Sequence, residues 1–483
     1  MLELRGIDPH STDAFFQPQL EDLHDPLLMH GMEQAVDRLM QAQRDGQRIM
    51  AYGDYDVDGA TSVALVQEFL QNNGFDVLPY IPDRYNEGYG LSEEGVQTAA
   101  KQGCKLIITL DCGIRAVDRV LDAAQLGIDV IICDHHLPGP VMPAAHTILN
   151  PKQPHCPYPF KELSGCGVAF KLTQALTDRF GLSPMSAYDG LDLVALSIAS
   201  DLVAVTDENR ILLHHGLRTI SRNARPGIKA LLKVVRCDPD FLTVRDIISR
   251  VSPRINAAGR MARATEAVNL LTASNEAQAN ELALNLDRLN NVRRSYDEQV
   301  TQAAIQQLEE RDEFKHVNIV WGKDWHRGVI GIVATRLIEH RYRPSIVISD
   351  DDGVMVGSAR STTGLDIHAL IKECGEHLLQ FGGHAMAAGI TVKPGAALAF
   401  AQQLDDAVGR EMQAASKREP RHFDLEINVA QCTPDLMLQL RQFEPFGPGS
   451  PAPVFLARDV ALAYPPKKVG KDGRHIRVSI KTM

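Results

Sequence analysis

The sequence predicts an α/β protein built on a parallel sheet, followed by a smaller α/β unit and a short β unit. Three observations predict it. Apolar runs at 48–53, 105–110 and 131–133 alternate with amphipathic stretches such as 60–71, the pattern of βαβ units. Residues 275–313 hold no Gly or Pro and space Leu282, Leu286, Leu289, Ile305 and Leu308 at helical intervals, which predicts one long connecting helix. After residue 421 the pattern becomes strand-like, at 423–427, 453–456 and 476–480.

The elements follow in order. Residues 1–45 read as a polar, helical lead-in. The run from Arg48 to Gly53 meets Asp54, Asp56 and Asp58; Gly59 marks the turn, and Ala60, Thr61 and Ser62 open a helix. A second run, from Lys105, ends on Asp111, and a third, Ile131-Ile132-Cys133, ends on Asp134-His135-His136. The alternation is expected to last to about residue 270. A second α/β unit opens at Val317, with Gly328 and Gly331 on its helix, a strand at 345–349 and a Gly-rich turn at 382–383. A helix runs on to about 417, and Arg418-Glu419-Pro420-Arg421 reads as a linker. The segments expected are thus 1–45, 46–274, 275–313, 314–417 and 421–483. The last reaches Met483 after two or three strands of a barrel-like sheet, so the chain is expected to be a fragment with an unpaired sheet edge.

Composition narrows the class. A length of 483 residues is too great for one ordinary core. A hydrophobic fraction of 44% with 23% charged residues is that of a soluble globular protein, expected in the cytoplasm. No apolar stretch approaches the roughly 18–20 residues of a membrane span, and the N-terminus lacks a signal-peptide plan. Eight cysteines contain no Cys-x-x-Cys pair, and Cys104, Cys112 and Cys133 lie in or beside apolar runs; buried reduced thiols are expected. A net charge of −11 argues against indiscriminate nucleic-acid coating but leaves room for a local basic channel.

The chemistry concentrates where the apolar runs end. Carboxyl ends of parallel strands are where ligands collect in open α/β sheets. Each acid alone has a plain reading: Asp-x-Asp is a solvated turn or a helix N-cap, and Asp111 closes a strand. Three strand ends carrying five acids and two histidines would repel one another without a cation. Asp201, after the apolar run from Leu193, is a further buried candidate. Carboxylates mixed with one or two imidazoles suit Mn²⁺ or Mg²⁺ better than zinc. The number of donors points to two ions about 4 Å apart, an arrangement used mostly for phosphoester hydrolysis. Phosphate handles accompany it: Arg84, the run Ser-Pro-Arg254-Ile-Asn256-Ala-Ala-Gly-Arg260, the strand pair Ser358 and Arg360, and Gly-Gly-His384. Singly, an arginine at a strand end is more often half of a salt bridge.

Six motifs carry a resemblance to a known family: Gly-Asp-Tyr-Asp-Val-Asp-Gly-Ala from 53, Leu-Asp-Cys-Gly from 110, Cys-Asp-His-His-Leu-Pro from 133, Ala-Ser-Asp-Leu-Val from 199, Ser-Pro-Arg-Ile-Asn-Ala-Ala-Gly-Arg from 252 and Phe-Gly-Gly-His-Ala-Met-Ala-Ala-Gly from 381. Over 46–483 the chain resembles the DHH phosphoesterase family, and within it the single-strand-specific 5′→3′ exonucleases. The resemblance implies that Asp56, Asp58, Asp111, His135 and Asp201, with Asp54, hold two Mn²⁺ or Mg²⁺ ions. It implies that His136 faces the scissile phosphate and that Asp134 orients the histidines. Ser358, Arg360 and His384 would fall in the DHH-associated domain that closes over the strand, and Arg84 would read the 5′-phosphate. The implied enzyme hydrolyses single-stranded DNA in recombination and repair as a monomer, with a RecQ-type helicase and a single-strand-binding protein as partners. Rival readings are an oligoribonucleotide or cyclic-dinucleotide phosphodiesterase, a manganese pyrophosphatase, and an inactive DNA-binding scaffold.

Overall fold

The computed structural model describes every residue except 9, 11, 311–312, 352, 415–421, 471–472, 474 and 482–483. The expected linker at 418–421 lies outside the described residues. The chain forms two compact units. One comprises Met1–Asn256, Ala264–Leu284 and Pro420–Met483; the other comprises Ala257–Arg263 and Asn285–Glu419.

The first unit carries a five-stranded sheet of β1 (Arg48–Gly53), β2 (Val77–Tyr80), β3 (Cys104–Leu110), β4 (Asp129–Cys133) and β5 (Thr147–Leu149). Its order is β2-β1-β3-β4-β5, and every pairing is parallel. The strands read as continuous apolar runs because both faces are covered. On one face Met50, Tyr52, Ile107, Val130 and Ile132 pack with Val96, Ala99, Val120 and Ala123 of the helices Glu93–Lys101 and Val117–Gln125. Strand order reverses between β1 and β3, the place where such sheets open a crevice for ligands.

The alternation stops earlier than expected. Beyond β5 the described chain to Leu271 is helical, including the apolar run before Asp201, which is the helix Leu191–Ser200. Residues 191–199 of that helix are all buried, and an element apolar all round cannot be told from a buried strand by periodicity. The expected lead-in is helical, and its Met32–Arg44 helix packs beside β5. Gly31, at φ 87°, allows that approach, since a Cβ there would sit 2.4 Å from Thr147 Oγ1.

The second unit contains the helix Glu276–Glu310 in large part and a sheet ordered β6-β7-β8-β10-β9. Its strands are β6 (Asn318–Lys323), β7 (Ser345–Asp351), β8 (Val354–Arg360), β9 (Leu378–His384) and β10 (Ala387–Val392). The Gly-rich turn expected at 382–383 is strand instead. A Cβ at Gly383 would lie 2.3 Å from the Ala387 carbonyl, so glycine serves close strand approach here rather than a turn.

Among its described residues the C-terminal segment contains four strands paired two by two: Leu425–Glu426 with Phe455–Leu456, and Leu462–Val469 with His475–Ile480. Arg210 ties this segment to the N-terminal part of the same unit. Its guanidinium donates to the carbonyls of Phe15, Phe443, Glu444 and Pro445 at 3.1–3.2 Å and lies 3.9 Å over the Phe15 ring. Arg210→Ala would leave these carbonyls without their donor, so a destabilisation of about 3 kcal/mol is expected. Thermal unfolding measures its size, and early proteolytic release of 423–483 would show that the C-terminal segment is no longer held.

Candidate metal centre

The ends of the adjacent strands β1, β3 and β4 bring the acids and histidines together. Asp54 follows β1. Asp56 caps the Val57–Asn72 helix, accepting from the backbone N–H of Asp58 (2.8 Å) and Gly59 (3.2 Å). The plain N-cap reading thus holds for Asp56, and the helix starts at Val57, three residues before the expected Ala60. Gly59 lies inside that helix rather than in a turn: a Cβ there would come 2.3 Å from the Asp54 carbonyl oxygen. Asp58 is buried and accepts from the N–H of Gly165 and Cys166, at 2.7 and 2.8 Å, and from the Ser197 hydroxyl at 2.7 Å.

Asp111 leaves β3 with φ 61°, a left-handed conformation that a non-glycine residue rarely adopts. Gly165 makes room for it; a Cβ there would be 2.8 Å from Asp111 Oδ1. After β4, Asp134 Oδ1 accepts from the N–H groups of His135 and His136 and pairs with His136 Nδ1 at 2.7 Å, while Oδ2 accepts from Ile114 N–H. Asp134 therefore fixes the ring of His136 but not that of His135. His135 Nε2 faces Asp111 Oδ1 at 3.2 Å, Asp201 Oδ2 at 3.5 Å and Asp58 Oδ2 at 3.8 Å. Asp201 reaches this place from the C-terminal end of the Leu191–Ser200 helix.

The electrostatics are those of an uncompensated anionic cluster. Burial, followed by neighbouring carboxylates, raises Asp54, Asp56 and Asp111 above the usual carboxylate range and pushes Asp201 up to about 8. Burial lowers His135, which favours the neutral imidazole a metal needs. Asp134 and His136 behave oppositely. Burial works against both charges, yet the bond between them holds Asp134 low and His136 high.

The residues fit a divalent cation. Asp54 Oδ1, Asp111 Oδ1 and both His135 ring nitrogens are buried without a hydrogen-bond partner, a costly state that coordination removes. The donor atoms form compact groups, Asp54/Asp56/Asp111 and Asp58/His135/Asp201, with Asp111/His135/His136 overlapping both; within each they lie within 4.8 Å of one another. Hard oxygens with a single imidazole suit Mn²⁺ or Mg²⁺. Burial raises the pKa of the nearby Cys112 and Cys133 thiols.

Comparison with known proteins decides the family. Residues 48–198 match the DHH family N-terminal domain, 301–410 the DHHA1 domain and 423–483 the RecJ OB domain. The single-stranded-DNA-specific exonuclease RecJ of Dickeya dadantii is 38% identical over 96% of this chain and 83% of its own length. The chain belongs to the RecJ family of single-stranded-DNA-specific exonucleases. Enzymes of this family are hydrolases of phosphodiesters. Bacillus subtilis RecJ is also 38% identical, over all of this chain, which spans 61% of that relative's length. Thermus thermophilus RecJ, solved with Mn²⁺, superposes with a TM-score of 0.84 at 28% identity, covering 99% of this chain and 68% of that one. Its Mg²⁺ complex gives 0.76 at 27% identity, covering 99% and 66%.

The other expected contacts are distributed over the RecJ-type chain. Arg84 lies near the metal centre, its guanidinium 4.5 Å over the Tyr55 ring. Arg254 and Asn256 sit on the Ser252–Met261 helix. Arg254 donates to the Arg250 carbonyl, and Asn256 Oδ1 is buried without a partner. In the second unit Arg260 donates to the Gly328 carbonyl. Also there, Arg360 and His384 both pair across the ladder with Ala387, which places them on one face of the sheet with Ser358, two residues from Arg360. Arg360 bonds Ser358 Oγ at 3.0 Å.

Sequence reasoning missed Tyr89. Its hydroxyl lies 3.3 Å from both the Asp111 carbonyl and His136 Nε2. The available signal was its place between Gly88 and Gly90, both left-handed, which projects a side chain from a tight loop. Among the described residues no helix is long and apolar enough to cross a membrane.

Proposed function

We propose that the chain digests single-stranded DNA from the 5′ end to 5′-mononucleotides, using two Mn²⁺ or Mg²⁺ ions held by Asp54, Asp56, Asp58, Asp111, His135 and Asp201. The observation that carries this reading is the pair of donor groups, Asp54/Asp56/Asp111 and Asp58/His135/Asp201, in contact through Asp111 and His135. Bound there, the ions supply an activated water and charge stabilisation on the attacking and leaving oxygens. His136, its Nδ1 engaged by Asp134, presents Nε2 to a phosphate oxygen. Arg254, Asn256, Arg260, Ser358, Arg360 and His384 contact the sugar-phosphate backbone, which they recognise without reading sequence.

The proposed division is 46–274 for the phosphoesterase domain, 275–313 for the connecting helix, 314–417 for the substrate-binding domain and 421–483 for part of an OB-like domain. The proposed setting is cytoplasmic DNA recombination and repair, as a monomer, with a RecQ-type helicase and a single-strand-binding protein. Against an inactive scaffold stands the full set of acids and histidines; against a small-phosphodiesterase reading stands the OB match at 423–483. The test is digestion of 5′- and 3′-labelled single strands with Mn²⁺ present or chelated. Loss of the 5′ label first, only with metal, is expected; release from the 3′ end would overturn the polarity.

Polarity falls to Arg84, since metals treat all phosphodiesters alike. A terminal phosphate carries more charge than an internal diester, and a guanidinium grips it bidentately. Arg84→Ala is expected to lower the preference for 5′-phosphorylated over 5′-hydroxyl strands about tenfold or more. Initial rates on the two substrates decide: equal falls in both would make Arg84 structural only.

A further inference from the structure

We infer that Glu87 is a positioning residue for 5′-end selection, acting through the loop that carries Arg84 and Tyr89; the inference rests on the end-reading role proposed for Arg84. The half-buried Glu87 carboxylate gathers both roots of this loop. Its Oε1 accepts from the Asp83 N–H at 2.7 Å. Its Oε2 accepts from the Tyr80 hydroxyl, at the end of β2, at 3.0 Å, and from the hydroxyl of Ser92 at 2.5 Å. Ser92 is the N-cap of the Glu93–Lys101 helix.

The remainder of the loop is closed around that carboxylate. Asp83 Oδ1 accepts from Tyr85 and Asn86 N–H, and the Asp83 carbonyl accepts from Glu87 N–H, so Arg84 sits inside a single closed turn. The fully buried Tyr52 hydroxyl donates to the Gly90 carbonyl at 2.7 Å and accepts from Ser92 N–H. Two functional side chains project from this frame. Arg84 lies over Tyr55, Tyr55 meets Tyr89 edge-on at 6.3 Å, and the Tyr89 hydroxyl reaches His136 and Asp111. Among the described residues the Glu87 carboxylate bonds Asp83, Tyr80 and Ser92, none of them a metal donor. It fixes the distance between the group that would hold the 5′-phosphate and the scissile bond, and small misplacements of such groups are costly in rate.

The experiment compares wild type, Arg84→Ala, Glu87→Ala and Glu87→Gln by kcat and KM on 5′-phosphorylated and 5′-hydroxyl single strands in Mn²⁺. Glu87→Ala is expected to lower the 5′-phosphate preference about tenfold, chiefly through KM, with Mn²⁺ stoichiometry and turnover on 5′-hydroxyl strands kept near wild type. Glu87→Gln should restore most of the preference, because its amide oxygen still accepts from one side and the hydroxyls can turn to accept from its N–H. If Arg84→Ala erases the preference and Glu87→Ala keeps it, the positioning role is overturned and the end-reading role stands. If wild type shows no preference, or Arg84→Ala leaves it intact, the end-reading role fails and takes this inference with it. A uniform fall on both substrates without rescue by Gln would make Glu87 structural and overturn the inference.

Discussion

Asp111→Ala is expected to abolish metal-dependent digestion of single strands, by about 10³-fold or more, with the fold intact. Asp111, like His135, belongs to two of the three donor groups; its Oδ1 is buried without a hydrogen-bond partner, and it stands 3.2 Å from His135. Its removal takes one carboxylate out of a mutually repelling cluster, so the metal-free protein has no electrostatic reason to lose stability. Turnover at saturating Mn²⁺, read beside circular dichroism and thermal unfolding, checks both halves. A folded variant with wild-type turnover would remove the basis for a two-metal site.

His136→Ala should lower turnover by about 10²–10³-fold while leaving Mn²⁺ affinity nearly unchanged. The geometry permits two roles, since His136 nitrogen also lies within reach of Asp111 and His135. With Nδ1–H donated to Asp134, Nε2 either donates to phosphate as part of an imidazolium or ligates a metal as the lone-pair nitrogen of a neutral ring. Calorimetric titration of Mn²⁺ separates them. Loss of one equivalent in the variant would make His136 a ligand.

Much of this centre was legible in the chain because acids at strand ends are costly unless something compensates them. The three apolar runs form β1, β3 and β4, and Asp54, Asp111 and Asp134 stand where those strands end. What periodicity could not supply was the helical character of 165–271. The helix Leu191–Ser200 is buried all round, so its pattern carries no stripe to read. The double duty of Asp58, which takes three donors from Gly165, Cys166 and Ser197, depends on contacts more than a hundred residues away in sequence. Tyr89 and Glu87 escaped for a related reason: a loop residue declares itself by what it touches in three dimensions, and a lone Glu or Tyr in a polar loop resembles ordinary surface.

Two ions side by side between the strand ends are what the proposed chemistry needs above all. Electron paramagnetic resonance of the protein titrated with Mn²⁺ tests this directly. At two equivalents the expected result is the broadened, multiline spectrum of a spin-coupled manganese pair, absent in Asp111→Ala. Two independent six-line signals, or saturation at a single equivalent, would contradict it.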